Sequence, residues 1–177
     1  MKERQLGFRD ERPDKMDSYI LEAMAKRHPL SLLLDQVEDT RNLGALFRLA
    51  DAARLQHIWA LGDSGLFDSK IVRRVARSTL SYVPHNTIDV NEARTLAQQQ
   101  NMVALEITDN SIPSTAYAPP GPCILVIGNE KDGVSEELLA LCQTSIHIPM
   151  YGVNTSMNVA MATAIAVYGL LDKIRQG

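Results

Sequence analysis

The chain has 177 residues, 45% of them hydrophobic and 22% charged, and its formal net charge is −3. These values are typical of one soluble globular domain. The sequence has no run of about 18 apolar residues, and its charged N-terminus lacks the apolar segment of a signal peptide. The cysteines, Cys123 and Cys142, lie in apolar runs without zinc-site spacing. We therefore expect a cytoplasmic protein with reduced thiols, no membrane span and no metal site.

Predicted strands alternate with predicted helices along the chain. In chain order these are helix Tyr19–Arg27, strand Leu32–Val37, helix Asn42–Leu55, strand His57–Leu61, helix Ser69–Ser78, a short strand within Tyr82–Ile88, helix Asn91–Gln100, strand Met102–Ile107, strand Cys123–Ile127, helix Val134–Gln143, strand Ile146–Ile148 and an alanine-rich last helix. The segment Ser111–Pro122 contains four prolines and one glycine, which predicts a loop. This pattern predicts an α/β fold with a mainly parallel sheet flanked by helices.

The helix predicted at Asn42–Leu55 is amphipathic. Its inward-facing residues are Leu43, Leu46, Phe47 and Ala50. Asn42 stands at the start of this helix, where asparagine is a favoured N-cap. Arg48 lies off the apolar stripe, and an ion pair with Asp51 three residues later is one role open to it.

The end of the chain combines a short strand, a polar loop and an apolar helix. The strand stops at Pro149, and glycine, asparagine, threonine and serine residues follow. Thr155, Ser156 and Asn158 can cap the last helix or leave its first N–H groups for a ligand. Both an ordinary junction and a ligand-binding loop fit these residues taken alone.

The positive charges are concentrated in the first half of the chain. Residues 1–77 carry 14 Lys and Arg side chains against 12 Asp and Glu, whereas residues 78–177 carry 4 against 9. Local basic patches, more than net charge, govern contact with a polyanion. Charge alone favours a solvated helix face over a nucleic-acid surface.

Common catalytic motifs are missing from the sequence. It has no GxGxxG after the first strand, no GxxxxGK[ST], no GxSxG and no His/Cys cluster suited to zinc. His57 and His147 fall in predicted strands, where core or edge positions are the expected role. The sequence therefore does not favour dinucleotide binding, nucleoside triphosphate binding or serine-hydrolase catalysis.

Three glycine- or asparagine-bearing segments follow predicted strands. They are NLGALFRLADA from Asn42, VIGNEKDGVS from Val126 and IPMYGVNTSMNVA from Ile148. Ligands of open α/β sheets bind at the carboxyl ends of the strands, so these three loops can converge. In this order and spacing the segments resemble the three motifs of the SpoU/TrmH family of RNA ribose 2′-O-methyltransferases, in the SPOUT class. The resemblance runs from about Leu32 to the C-terminus.

The resemblance implies a fold and a set of partners. The fold is an α/β domain with a C-terminal trefoil knot, here at residues 31–177, preceded by an N-terminal helical extension at residues 1–30. The implied methyl donor is S-adenosylmethionine, held in the knot. Family members are homodimers that act on tRNA or rRNA, with active sites drawing on both subunits.

The site residues implied by the resemblance carry over one at a time. The expected catalytic positions are Asn42, Arg48, Glu130, Ser156 and Asn158. The expected donor-binding positions are Leu105, Gly128, Ile148 and Met157, the last replacing the usual leucine at similar volume. Ala160 replaces a frequent serine, which removes one hydroxyl. In the family account the arginine takes the proton of the attacking ribose 2′-hydroxyl. A permanently charged Arg48 could instead stabilise the negative charge that develops on that oxygen.

The choice of RNA substrate depends on less specific features. The segment ahead of Asn42 resembles that of tRNA enzymes that methylate a D-loop guanosine, and rRNA is the alternative. The candidate RNA contacts are Lys26, Arg27, Arg41, Arg73, Arg74 and Arg77. Two other classes of function are alternatives. One is an RNA-binding protein of the same fold that has lost catalysis, and the other is a nucleotide-dependent oxidoreductase that lacks the usual glycine fingerprint.

Overall fold

The computed structural model describes residues 16–62 and 67–176, and within them it has a seven-stranded parallel sheet. The strand order is β3-β2-β1-β6-β4-β7-β5. The strands are β1 (Leu30–Asp35), β2 (Ile58–Leu61), β3 (His85–Ile88), β4 (Asn101–Leu105), β5 (Ile112–Pro113), β6 (Cys123–Ile127) and β7 (Thr144–His147). The helices are α1 (Met16–Ala25), α2 (Thr40–Ala52), α3 (Lys70–Ala76), α4 (Val90–Gln99), α5 (Glu136–Leu139) and α6 (Val159–Gln176). The predicted α/β class and parallel sheet are confirmed.

Side-chain caps explain where several helices begin. Asp39 accepts hydrogen bonds from the N–H groups of Arg41 and Asn42 at the start of α2. Asp89 and Glu92 form a reciprocal capping box at α4. Ser69 caps α3 and Ser135 caps α5. Each cap satisfies an N–H group that has no partner inside its helix.

Most predicted elements differ from the observed ones by a few residues at their ends, and three also differ in type or length. The helix predicted at Val134–Gln143 is wrong in length, because α5 is only four residues long. The predicted loop Ser111–Pro122 contains the two-residue strand β5, which pairs with β7. The helix predicted at Ser69–Ser78 ends at Ala76 and continues as a 3₁₀ turn. For β5, pairing with a distant strand outweighs the local loop propensity.

Two apolar layers cover the sheet. One layer packs α2, α3 and α6 on one face, and its fully buried members include Leu43, Leu46 and Phe47. The other layer packs α4 and α5 on the opposite face around Leu33, Ile124 and Val126. All five residues of β6 are buried, as its continuous apolar sequence predicts.

The register brings the carboxyl ends of the central strands to one edge. Leu34 pairs with Ile127, Ile127 with Leu105, and Leu105 with Ile146. The segments that follow β1, β6, β4 and β7 therefore leave the sheet side by side. Among the described residues no helix is long and apolar enough to cross a membrane.

Candidate functional site

The three loops identified in the sequence meet at one cavity at this carboxyl edge. Its volume is about 710 Å³. The predicted positions that line it are Asn42, Leu105, Gly128, Glu130, Ile148, Ser156, Met157 and Asn158. Of the predicted catalytic and donor-binding residues, only Arg48 is outside the lining. The fold thus brings segments more than 100 positions apart onto one surface.

Hydrogen bonds between side chains join the three loops. The amide nitrogen Nδ2 of Asn158 donates to Oδ1 of Asn42 at 2.9 Å. Nδ2 of Asn42 donates to Oε1 of Glu130 at 2.8 Å. Asn42 therefore acts as acceptor and donor at once, and the chain fixes α2, the loop after β6 and the start of α6 relative to one another.

The predicted N-cap role of Asn42 is wrong. Asp39 caps α2, and Asn42 lies within the first turn, where it is only 9% exposed. The helix begins earlier than predicted because the Asp39 carboxylate reaches the N–H groups of the following turn. This shift frees the Asn42 side chain to bridge Asn158 and Glu130.

Asn158 is the residue that caps α6. Its Oδ1 accepts from the N–H groups of Ala160 at 3.0 Å and Met161 at 3.2 Å. The other predicted candidates, Thr155 and Ser156, are exposed and line the cavity. The side-chain oxygen of Asn158 thus accepts from the first N–H groups of α6, and its side-chain nitrogen donates to Asn42.

The loop after β6 is closed by its own backbone. Asn129 and Gly133 exchange N–H···O hydrogen bonds of 2.9 and 3.0 Å. A Cβ added at Gly128 would lie 2.1 Å from the carbonyl carbon of Gly133, so a side chain there does not fit. Gly133 has a φ of +72°, which favours glycine.

Two carboxylates hold the far end of this loop. Asp35, 1% exposed at the end of β1, accepts from the N–H of Ser135 at 2.7 Å. Glu106, the first residue after β4, accepts from the N–H of Val134 at 3.1 Å and from that of Ile107 at 2.9 Å. Strand ends on both sides of β6 therefore fix the backbone that carries Glu130.

Arg48 is exposed on α2, one turn after Gly44, where α2 and α3 approach closely. A Cβ at Gly44 would lie 2.6 Å from Cβ of Val75. Within the described residues Arg48 forms no ion pair, so the alternative role of pairing with Asp51 is not observed. Its guanidinium therefore has no ion-pair partner in that part of the chain, and Arg48 does not line the cavity.

The candidate RNA contacts divide into two groups. Arg41, Arg74 and Arg77 are exposed and form no ion pair among the described residues. Three others have partners: Lys26 pairs with Glu22, Arg73 pairs with Asp68, and Arg27 donates to the carbonyls of Leu55 and Tyr82. Partial burial lowers the pKa of Arg27, which fits a structural role.

Sequence reasoning missed several residues that line the cavity, among them Glu106 and His147. Glu106 falls within the predicted strand Met102–Ile107, and His147 was expected only in the core or at an edge. The signal available was their position at the carboxyl ends of neighbouring strands.

Away from the site, both thiols are free and shielded. Burial raises the pKa of Cys123 and of Cys142 to about 12. The described residues contain no group of His, Cys, Asp and Glu side chains arranged to hold a metal ion.

Comparison with known proteins supplies a family. The model of the SpoU rRNA Methylase family matches residues 29–168. The chain is 30% identical over 153 residues to a tRNA (guanosine(18)-2′-O)-methyltransferase of Escherichia coli, with 84% of the chain and 66% of the relative covered. It is 36% identical over 151 residues to a 23S rRNA (guanosine-2′-O-)-methyltransferase of Ralstonia nicotianae, with 84% and 59% covered. The chain thus spans less than two thirds of the length of these relatives.

Solved structures that resemble most of this fold include the following two. A TrmH/SpoU tRNA modifying enzyme of A. aeolicus superposes with a TM-score of 0.81 at 26% identity, covering 90% of this chain and 82% of that one. An AdoMet-bound rRNA methyltransferase from Sinorhizobium meliloti gives a TM-score of 0.76 at 25% identity, covering 85% and 57%.

Proposed function

The chain belongs to the SpoU rRNA methylase family, and we propose that it is an S-adenosylmethionine-dependent RNA ribose 2′-O-methyltransferase. The observation that carries this proposal is the hydrogen-bonded chain Asn158–Asn42–Glu130, which joins the three loops at one cavity. The relatives named above carry the same activity in their names.

The cavity fits a methyl donor of mixed polarity. Its volume of about 710 Å³ lies in the usual range for cofactor sites. Leu105, Ile148 and Met157 offer apolar surface, whereas Ser156 and the backbone around Gly128 offer polar groups. Bound there, S-adenosylmethionine supplies a methyl group on a positively charged sulfur.

We propose that Arg48 acts on the RNA side of the reaction. A guanidinium has five donors and no acceptor, so it does not take a proton while it is charged. It can hold an RNA phosphate and stabilise the negative charge that develops on the attacking ribose oxygen. Asn42 and Glu130 hold the neighbouring loops in place, and alignment of the two reactants supplies much of the remaining rate.

The proposed substrate is tRNA, with a D-loop guanosine as the target. The tRNA relative and the A. aeolicus structure support this choice. A 23S rRNA is the second candidate, because the Ralstonia nicotianae relative has the higher identity of 36%. Arg41, Arg74 and Arg77 are the exposed cations that would contact the phosphates of either RNA.

A homodimer is part of the proposal. Met161, Ile165 and Tyr168 lie on one face of α6 and are 61%, 48% and 51% exposed. Spacings of four and three residues put these apolar side chains in one stripe, which a second copy of the chain would cover.

We also propose the trefoil knot and the division of the chain at residue 30. In support of the knot, α6 follows β7 near one side of the sheet yet packs against α2, and Lys173 donates to the carbonyls of Thr115 and Tyr117. Residues 1–30 would form the N-terminal extension, which contains α1 and ends at the first residue of β1; residues 1–15 lie outside the described residues. A cytoplasmic location fits this RNA chemistry.

The test is a methyl-transfer assay with labelled S-adenosylmethionine and unmodified tRNA or rRNA. We expect label on a ribose 2′-oxygen, which nuclease mapping would locate to one guanosine. A protein that binds the donor and RNA but transfers nothing would contradict the proposal and favour an RNA-binding role without catalysis.

A further inference from the structure

The cavity also has two polar side chains that take no part in the Asn158–Asn42–Glu130 chain. Glu106 directly follows β4 and His147 ends β7, and both line the cavity. The two strands are neighbours, and the N–H of Glu106 donates to the carbonyl of Ile146 at 2.9 Å. Glu106 and His147 are therefore adjacent in register and share one face of the sheet.

The Glu106 carboxylate is fixed in place with acceptor capacity left over. One oxygen accepts from the N–H of Ile107 and the other from that of Val134. A Cβ at Gly133 would lie 2.4 Å from Oε2, so the glycine makes room for the carboxylate. A carboxylate has about four lone-pair sites, and the two N–H groups use two of them. In the described part of the chain no Lys or Arg forms an ion pair with it.

The hydrogen bonds of His147 assign its tautomer. The Ser111 hydroxyl donates to the carbonyl of Thr108 at 2.9 Å, and its single hydrogen is thereby used. Its oxygen must then accept from Nδ1–H of His147, 3.0 Å away. In the neutral ring Nε2 is left as an acceptor. Both side chains therefore recognise hydrogen-bond donors.

The strand order determines where these side chains lie along the cavity. Glu130 follows β6, Glu106 follows β4, and His147 ends β7, with neighbouring strands about 4.8 Å apart. The exposed cations Arg41 and Arg48 lie on α2, which follows β1. RNA would approach from that side, so the reacting methyl belongs near Asn42 and Glu130. The surface at the ends of β4 and β7 is left for a part of the donor that does not react.

We propose that Glu106 accepts hydrogen bonds from the ribose hydroxyls of the donor's adenosine half, with His147 beside it as a second acceptor. This inference rests on the proposed methyl-donor cavity and adds a binding residue to it. A carboxylate that accepts from ribose hydroxyls is an established solution in dinucleotide-binding folds. The other donor group that could reach Glu106 is the α-ammonium of the methionine half.

Calorimetric binding of two ligands separates these contacts. S-adenosylhomocysteine contains both halves, whereas 5′-methylthioadenosine keeps the ribose and lacks the α-amino acid. We expect Glu106→Gln to weaken both ligands by a similar factor of about ten or more, since hydrogen bonds to charged groups are strong. The matched control is Glu136→Gln, an exposed carboxylate in α5 that should bind both ligands like wild type.

The outcomes are distinct. Weakening of S-adenosylhomocysteine alone would assign Glu106 to the α-ammonium and overturn the proposal, and so would unchanged binding of both ligands. Wild-type protein that binds neither ligand would overturn the donor cavity itself, and with it the proposed function.

A second measurement needs no variant, in case Glu106→Gln fails to fold. Wild-type protein should bind adenosine about tenfold or more tightly than 2′,3′-dideoxyadenosine, because the dideoxy compound leaves the acceptors unpaired. Equal affinity for the two nucleosides would overturn the proposal.

Discussion

The side-chain amide of Asn42 donates a 2.8 Å hydrogen bond to Glu130, a residue 88 positions further along the chain. The same amide accepts from Asn158, 116 positions away from it. This one buried side chain therefore couples the start of α2 to the loop after β6 and to the cap of α6. Substitutions of Asn42 and of residues near it are the most direct tests of the site.

Replacing Asn42 by aspartate should destabilise the fold in a pH-dependent way. The variant places a second carboxylate against Glu130, which raises the pKa of the pair above its unfolded value. Wild-type stability should therefore exceed that of the variant by about 1–2 kcal/mol near pH 8 and by less near pH 4, where one carboxyl is protonated and can donate again. Urea unfolding at both pH values measures this difference. Asn91→Asp, at an exposed position in α4, is the control; a gap that is equal at both pH values would contradict the expectation.

Two substitutions of Asn158 should separate stability from activity. Asn158→Ala removes the acceptor for Ala160 and Met161, and we expect a loss of about 1 kcal/mol in unfolding free energy. Asn158→Asp keeps that cap and loses only the hydrogen bond to Asn42, so it should lose less stability than Asn158→Ala while methyl transfer still falls. Thermal unfolding and the transfer assay measure the two effects, with Asn154→Ala in the same exposed loop as control. Equal stability losses in both variants would refute the capping role.

Adding one methyl group at Gly128 should disrupt the loop after β6. The new Cβ would collide with the backbone of Gly133 and Val134, which has no flexible side chain to move aside. We expect Gly128→Ala to lose at least about 1–3 kcal/mol of stability, together with donor binding. Gly169→Ala in α6 meets nothing within 4 Å and should be neutral or slightly stabilising. A Gly128→Ala protein as stable as wild type would show that the loop is not closed in this way.

Removing the Arg48 side chain should abolish transfer and spare donor binding. The guanidinium is exposed on α2 and does not line the cavity, so S-adenosylhomocysteine affinity should be unchanged. Loss of one group that stabilises developing charge typically lowers turnover by about 10²–10³. Arg94→Ala, on the opposite layer in α4, is the control for loss of a surface cation. Near-normal turnover in Arg48→Ala would remove this residue from the mechanism.

Both thiols should resist alkylation until the protein unfolds. Burial raises the pKa of Cys123 and Cys142 to about 12, so near pH 8 the reactive thiolate is rarer by roughly 10³ than in an ordinary cysteine. Mass spectrometry after brief treatment with iodoacetamide should find both unmodified in native protein and both modified in urea. Rapid labelling of the native chain would place the thiols in a more open environment.

Local sequence patterns predicted most of the secondary structure. The apolar run Cys123–Ile127 and the spacing of Leu43, Leu46 and Phe47 predicted a buried strand and an inward helix face, and both are confirmed. These features depend on residues close in sequence, so periodicity and burial are enough to find them. Local pattern failed at α5 and β5, where a four-residue helix and a two-residue strand exist through contacts with distant segments.

By itself, the sequence determined the α/β class, the three loops and the family resemblance they carry. Only the tertiary structure decided that Asn42 bridges Asn158 and Glu130 instead of capping α2, and that Glu106 and His147 share the cavity. The physical reason is the strand order β1-β6-β4-β7, which makes neighbours of strands that are far apart in the chain. Side chains at their carboxyl ends therefore meet through register and long-range hydrogen bonds, which no local pattern of residues contains.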